Sequence, residues 1–232
     1  MFRFWAPEHV GAVWAHTDPA NAWQAFATYR DGLRWRHTAA NGAAVTVDLQ
    51  RRPMAADEAV LAITAKVVNG SRALLDGVGI ANCLQFAMAP DFSCDDMTRI
   101  FVRCAGRWRP LAELEPASDY PRFPAVKRGA SGGRMIWGGD LSHLFESTAV
   151  DHPLIICASR DGSRCVGTAS ADVDYLFYNR ANPHLLCIHS TQAIQDAVPA
   201  KATVEFVQHV YFVNDGVEAC ASLYDRLPPA AG

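Results

Sequence analysis

The sequence LIICASRDGSRCVGTA, residues 154–169, places two short apolar runs on either side of an Asp-Gly turn. Because Gly162 can adopt the positive φ that such a turn needs without a Cβ clash, this pattern predicts a β-hairpin. Downstream, TVEFVQHVYFV at residues 203–213 alternates apolar and polar side chains and predicts a long strand. Asp215 and Glu218 have capping-box spacing, and apolar residues at helical spacing after them predict one short C-terminal helix.

The N-terminal part of the chain carries similar strand signals. Residues 34–38 and 44–49 flank Asn41-Gly42, a type I′ hairpin signal, and residues 60–68 alternate again. Residues 22–29 fit either a short helix or a strand. Alternating runs joined by short turns favour antiparallel pairing, since parallel strands need long crossovers.

These signals add up to roughly ten to fourteen strands and one helix. We therefore expect an all-β fold, an antiparallel two-sheet β-sandwich of the supersandwich type with one short C-terminal helix. A closed barrel remains the alternative. Residues 1–232 are expected to form a single domain, because all-β domains of this size are common.

The composition excludes several classes of protein. The chain has 232 residues, 50% hydrophobic content and a formal net charge of −3. It has no basic stripe, so we expect no nucleic-acid partner. It has no run of 18 apolar residues, so we expect no membrane span. The N-terminus lacks the apolar core of a signal peptide, which predicts a cytoplasmic protein.

The seven cysteines do not follow a known framework. Their number is odd and no CxxC pair occurs. Zinc sites and disulfide scaffolds have characteristic spacings that are missing here. The sequence therefore predicts reduced, buried cysteines that fill small core positions. We expect neither a metal ion nor another cofactor.

Five short motifs are spread over much of the chain: EHVG at 8–11, VVNGS at 67–71, VGIANC at 78–83, ASRDGS at 158–163 and CIHS at 187–190. Together they resemble a set of bacterial proteins that have no assigned activity. Those proteins are similar in architecture to the β-sandwiches found beside carbohydrate-active enzymes. The resemblance implies a β-rich fold and a sugar-related setting. It assigns no catalytic residue.

Two histidines and one aspartate are the candidates for catalysis. His184 and His189 lie near polar residues at the end of a predicted strand, where an imidazole can act as a general acid or base. Asp172 could work with Asp174 if their environments separate the two pKa values. The alternatives are a half-buried histidine bonded to backbone and an aspartate that only forms a turn.

Aromatic and polar residues are the candidates for ligand binding. Flat rings stack on sugars, and arginine or asparagine beside them can bind hydroxyl groups. The predicted binding residues are Trp108, Arg107, Trp137, Arg180, Asn182 and Tyr178. The alternative is that the rings simply pack in the core.

Three functions fit these observations. The first is a sugar-processing enzyme, a lyase, epimerase or hydrolase, with His189 or His184 as acid or base. The second is a non-catalytic module that binds a carbohydrate, another small polar ligand or a protein. The third is a homo-oligomeric structural protein. For the first, the site would lie on one sheet face, bordered by residues 91–96, 107–110 and 179–190.

Overall fold

The structure is a computed structural model that describes residues 2–10, 24–29, 32–39, 41–114, 125–127, 145–146, 149–180 and 186–230. In the first half of the chain the strands are β1 (Arg3–Val10), β2 (Gln24–Tyr29), β3 (Gly32–Thr38), β4 (Ala44–Arg52), β5 (Glu58–Val68), β6 (Ile80–Gln85), β7 (Ile100–Cys104) and β8 (Arg107–Pro110). In the second half they are β9 (Ala125–Lys127), β10 (Phe145–Glu146), β11 (Leu154–Ala158), β12 (Cys165–Ser170), β13 (Val173–Asn179), β14 (Cys187–Gln192) and β15 (Thr203–Val213). Short 3₁₀ turns lie at Pro90–Phe92 and Leu111–Glu113, and the helix α1 spans Val217–Arg226.

The strands form two sheets. The six-stranded sheet has the order β1-β6-β14-β13-β9-β10, and the nine-stranded sheet has the order β2-β3-β4-β5-β15-β12-β11-β7-β8. Pairing is antiparallel throughout the described strands except between β9 and β10. The predicted all-β sandwich with a C-terminal helix is confirmed.

The predicted hairpin at residues 154–169 is present. Strand β11 pairs with β12 from Leu154↔Ala169 to Ala158↔Cys165, and Gly162 in the turn has a φ of 73°. The Asp161 carboxylate accepts hydrogen bonds from the hydroxyl groups of Ser159 and Ser163 at 2.6 and 2.8 Å. These bonds stabilise the ionised carboxylate and lower its pKa. Residues 24–29 form a strand, so the strand alternative for this segment is the correct one.

Strands β5 and β15 form the centre of the nine-stranded sheet. They pair without a break over eleven residues, from Thr203↔Val68 to Val213↔Glu58. The alternating apolar residues of both strands bury one face toward the six-stranded sheet. The main core lies between the two sheets and includes Ile63 and Val210 from the large sheet and Leu84 and Ile188 from the small one.

Helix α1 covers part of the other face of the large sheet. Its residues Cys220 and Leu223 are fully buried against a second cluster that includes Leu154, Ile156 and Tyr211. The Tyr211 hydroxyl donates a 2.9 Å hydrogen bond to the Leu227 carbonyl just after the helix and fixes its end. No helix in the described part of the chain has the length and apolarity needed to cross a membrane.

Polar side chains also lie between the sheets. The Asn82 amide of β6 donates to Gln208 Oε1 of β15, and Gln208 Nε2 donates to Thr168 Oγ1 at 2.6 Å. Nearby, the Ser170 amide donates to Ser190 Oγ at 2.8 Å, and Ser170 Oγ donates to the Ser190 carbonyl at 2.7 Å. These bonds join β12 and β15 of one sheet to β6 and β14 of the other. They satisfy groups that would otherwise be buried without partners.

We expect Thr168→Val to lower the free energy of unfolding by about 1–3 kcal/mol, because Gln208 Nε2 would be buried without its acceptor. Thr203→Val is the matched control, since Thr203 lies exposed on β15. It should change stability by less than about 0.5 kcal/mol. Urea unfolding measures both, and equal losses would show that the buried bond contributes nothing.

Two glycines bring two turns into close contact. Gly42 has a φ of 86°, and a Cβ on Gly70 would lie 2.2 Å from the Gly42 carbonyl oxygen. The β3–β4 turn and the end of β5 can therefore approach each other only because residue 70 has no side chain. The obstacle is backbone, so no rotamer change can relieve it.

We expect Gly70→Ala to destabilise the fold by about 3 kcal/mol, because the two turns must separate. Gly162→Ala is the control, since Gly162 also lies in a turn but has open space around it. The free energy of unfolding of that variant should fall by only about 1–2 kcal/mol, the cost of a left-handed backbone conformation for alanine. Urea unfolding measures the free energy of unfolding of both variants. A loss of stability in Gly70→Ala that is no larger than in Gly162→Ala would contradict the steric explanation.

Candidate functional site

His189 lies on the face of the six-stranded sheet that points away from the main core. On β14, Ile188 faces the core, so Cys187 and His189 share the outer face. The His189 side chain is buried, with Nε2 3.1 Å from Cys187 Sγ. The ring of Phe177, its partner on β13, lies 5.0 Å from the imidazole.

Strand β6 adds two more polar groups to this outer face. The pairing of Ile188 with Leu84 places Cys83 opposite His189, and Gln85 pairs directly with Cys187. The ligand atoms of Cys83, Cys187 and His189 all lie within 4.8 Å of one another. Burial raises the pKa of the Cys83 thiol, which keeps it protonated at neutral pH. Gln85 is 1% exposed, and its Oε1 has no hydrogen-bond partner in the part of the chain that the structure describes.

Asp172 is not close to His189. It lies exposed in the turn before β13, whereas Asp174 is buried within the strand. The partner of His189 on β13 is Phe177, five residues further along. At about 3.3 Å per residue, five residues place Asp172 roughly 16 Å away along the strand. Asp172 therefore does not lie beside His189.

Tyr178 and Arg180 support the structure at the end of β13. Tyr178 is fully buried in the main core, and its hydroxyl donates a 2.9 Å hydrogen bond to the Cys94 carbonyl. Burial raises the pKa of this phenol. Arg180 donates to the Asp95 carbonyl at 2.9 Å. Both residues connect β13 to the 91–96 loop. Of the three segments predicted to border the site, 91–96 and 179–190 are therefore in contact.

Trp108 and Arg107 lie elsewhere. Both are on β8, the edge strand of the nine-stranded sheet. The Trp108 ring packs against the α1 cluster and lies 5.2 Å from the His152 ring. It therefore faces outward on the large sheet, with both sheets between it and His189. The predicted residues His184, Asn182 and Trp137 lie outside the described residues.

A surface pocket that the sequence did not reveal lies where the strands of the sandwich end. We call it the strand-end pocket; its volume is about 300 Å³. Its lining residues are Phe2, Arg51, Ala56, Asp57, Glu58, Ala59, Phe92, Arg164, Cys165, Phe212, Val213 and Asn214. Because these residues come from distant parts of the sequence, no local motif marks the pocket.

Three phenylalanine rings form the apolar part of the strand-end pocket. The Phe2 ring lies 4.9 Å from that of Phe92 and 5.5 Å from that of Phe212. Phe2 and Phe212 are only partly buried, so their rings reach the pocket surface. Phe2 precedes β1 of the small sheet and Phe212 lies on β15 of the large one. The pocket therefore spans both sheets.

Charged groups surround these rings. The Arg164 guanidinium lies 5.7 Å from the centre of the Phe92 ring and binds the Asp91 carboxylate at 2.9 Å. Glu58 accepts a hydrogen bond from Arg226 through Oε1. The pocket thus combines ring faces with charged side chains of both signs.

Comparison with known proteins finds distant structural similarities but no family. No protein-family model matches the chain, and no curated protein matches it. The Slr1438 protein from Synechocystis sp. PCC 6803 aligns with a TM-score of 0.49 and 8% identity over 84% of this chain. A GalM/aldose epimerase homologue from C. elegans aligns with a TM-score of 0.39 and 7% identity over 84% of this chain. A mutarotase candidate, YeaD from Salmonella typhimurium, aligns with a TM-score of 0.42 and 7% identity over 83% of this chain.

The chain spans about two thirds of the length of these three proteins, 66%, 69% and 65% respectively. The epimerase and mutarotase descriptions belong to those two proteins. At 7–8% identity these alignments assign no role to any residue of this chain.

We expect Tyr178→Phe to lower the free energy of unfolding by about 1 kcal/mol, because it removes one buried hydrogen bond. The Cys94 carbonyl also accepts from the Met97 amide, so it keeps a partner. Chemical unfolding measures the loss, and sugar binding should be unchanged. Unchanged stability together with weaker sugar binding would instead support the substrate-binding role predicted for Tyr178.

Proposed function

We propose that this protein is a carbohydrate-associated β-sandwich protein that binds one sugar-sized polar ligand in the strand-end pocket. One observation carries the proposal: Phe2, Phe92 and Phe212 place three rings beside charged side chains in a single concave site. Sugars present both apolar C–H faces and hydroxyl groups. A site that binds them needs both kinds of surface.

The size of the strand-end pocket supports a small ligand. Ligand pockets in proteins usually range from about 300 to 1,000 Å³. The strand-end pocket, at about 300 Å³, is at the lower end of this range. A single pyranose ring fits this volume better than an oligosaccharide does.

The polar groups at the pocket can bind hydroxyl or carboxylate groups. Arg51, Arg164 and Asn214 can donate hydrogen bonds, and Asp57 and Glu58 can accept them.

This geometry favours binding over catalysis. His189, the predicted acid or base, lies on the outer face of the small sheet and does not line the strand-end pocket. The described residues that line the pocket include no histidine. Among the three functions considered from the sequence, the pocket therefore fits a binding module best. A sugar-processing enzyme with His189 as acid or base is the alternative.

Isothermal titration of the full chain against neutral hexoses, hexuronates and hexose phosphates tests the proposal. We expect at least one class to bind at one site per chain. Arg164→Ala should weaken that binding by about 10-fold or more, because a charge-assisted hydrogen bond is lost. The fold should be retained, since Arg164 is exposed and its ion pair with Asp91 lies at the surface.

Arg107→Ala is the matched control, an exposed arginine on the edge strand β8. It should leave sugar affinity unchanged. Binding by no sugar class would overturn the proposal. A larger loss in Arg107→Ala than in Arg164→Ala would move the site to the residues predicted from sequence. Anomer interconversion or bond cleavage that disappears in His189→Ala would favour the enzyme.

A further inference from the structure

We propose that Cys83, Cys187 and His189 form a binding site for a thiophilic divalent cation of the zinc class. This site goes beyond the sugar-binding function and shares no residue with the strand-end pocket. Two neighbouring strands of the small sheet supply all three groups. All three lie on one face of the sheet, and Gln85 lies beside the coordination position that they leave open.

The register of β6 and β14 brings the three residues together. Cys187 and His189 are two apart on β14, so their side chains point the same way. The pairing of Ile188 with Leu84 sets Cys83 opposite His189. Leu84 and Ile188 belong to the main core, and the three candidate ligands do not. All three therefore project from the outer face of the sheet.

The distances suit a small, tetrahedral metal ion. The two Sγ atoms and the imidazole nitrogen lie within 4.8 Å of one another, and Cys187 Sγ is 3.1 Å from His189 Nε2. Zinc binds sulfur at about 2.3 Å and nitrogen at about 2.0–2.1 Å, which sets tetrahedral ligand atoms roughly 3.5–3.8 Å apart. Small side-chain rotations would bring the three atoms to these separations.

The surroundings favour a soft or borderline cation. Cys83 is 0%, Cys187 1% and His189 3% exposed. Thiolate and imidazole ligands select zinc and related transition metals over magnesium or calcium. A thiolate in such a buried place needs a nearby positive charge. A divalent ion would supply that charge.

Gln85 provides the second, independent observation. It is the direct partner of Cys187 on the same face and is 1% exposed, and among the described residues its Oε1 has no hydrogen-bond partner. Two cysteines and one histidine leave a fourth position on a tetrahedral ion, which water commonly fills. A metal-bound water could donate to Gln85 Oε1. The unpaired oxygen thus lies beside the position that three protein ligands leave open.

Metal binding at this site would release protons from the two thiols. Each thiol must lose its proton to bind as a thiolate, while the histidine binds as neutral imidazole. One divalent ion would therefore release about two protons to solvent. The released protons can be counted by calorimetry in buffers that differ in ionisation enthalpy. A site built from oxygen ligands would release far fewer.

Cobalt(II) titration of the full, reduced and chelator-treated chain tests the site, because Co²⁺ reports thiolate ligands by a charge-transfer band in the near ultraviolet. We expect one ion per chain with this band, displacement by Zn²⁺, and release of about two protons. Cys187→Ser and His189→Ala should each weaken binding by 100-fold or more. Gln85→Leu should weaken it by about 10-fold, as loss of an outer hydrogen bond does.

Cys104→Ala is the matched control, because Cys104 is an equally buried thiol on β7, in the other sheet. It should bind cobalt as the unaltered chain does. The absence of a charge-transfer band in the unaltered chain would overturn the proposal. That measurement requires no variant to fold. Equal loss in Cys104→Ala would overturn it too. So would a Cys83–Cys187 disulfide that forms in place of metal binding.

Discussion

The fold depends on the register of β5 against β15. Eleven consecutive pairs hold these strands at the centre of the large sheet. Val210 and its alternate neighbours face the main core, while Tyr211 and Val213 face the cluster under α1. A slip of one residue would exchange the two faces. It would place Gln208 toward the helix and Tyr211 between the sheets, so packing on both sides selects a single alignment.

Parts of the large sheet could be predicted because the signals of their hairpins are local. The hairpin of β11 and β12 has its turn within sixteen residues of sequence, and β3, β4 and β5 follow one another along the chain. The small sheet could not be assembled in the same way. Its neighbours β6 and β14 lie far apart in sequence, and both faces of each are buried. Strands buried on both faces lose the alternation that reveals which residues point inward.

The same limit explains what the sequence could say about the sites. His189 was recognised as chemically capable, but its companions Cys83 and Gln85 come from a strand that only the fold places beside it. Tyr178 and its neighbour Phe177 are both aromatic, so residue type does not distinguish their positions. Alternation assigns them to opposite faces without saying that Tyr178 is the one in the core. The strand-end pocket joins rings from residues 2, 92 and 212, which no spacing rule relates.

The two sheets are held together differently at different places. Ser170 and Ser190 connect them through two short bonds that involve backbone on each side. Near the strand ends, the rings of Phe2 and Phe212 meet at 5.5 Å and fill the space between them. Hydrogen bonds of fixed length tolerate little sliding, whereas ring contacts allow small tilts. When the two sheets separate by thermal motion, they should therefore pivot about the serine pair and open most beside the phenylalanines.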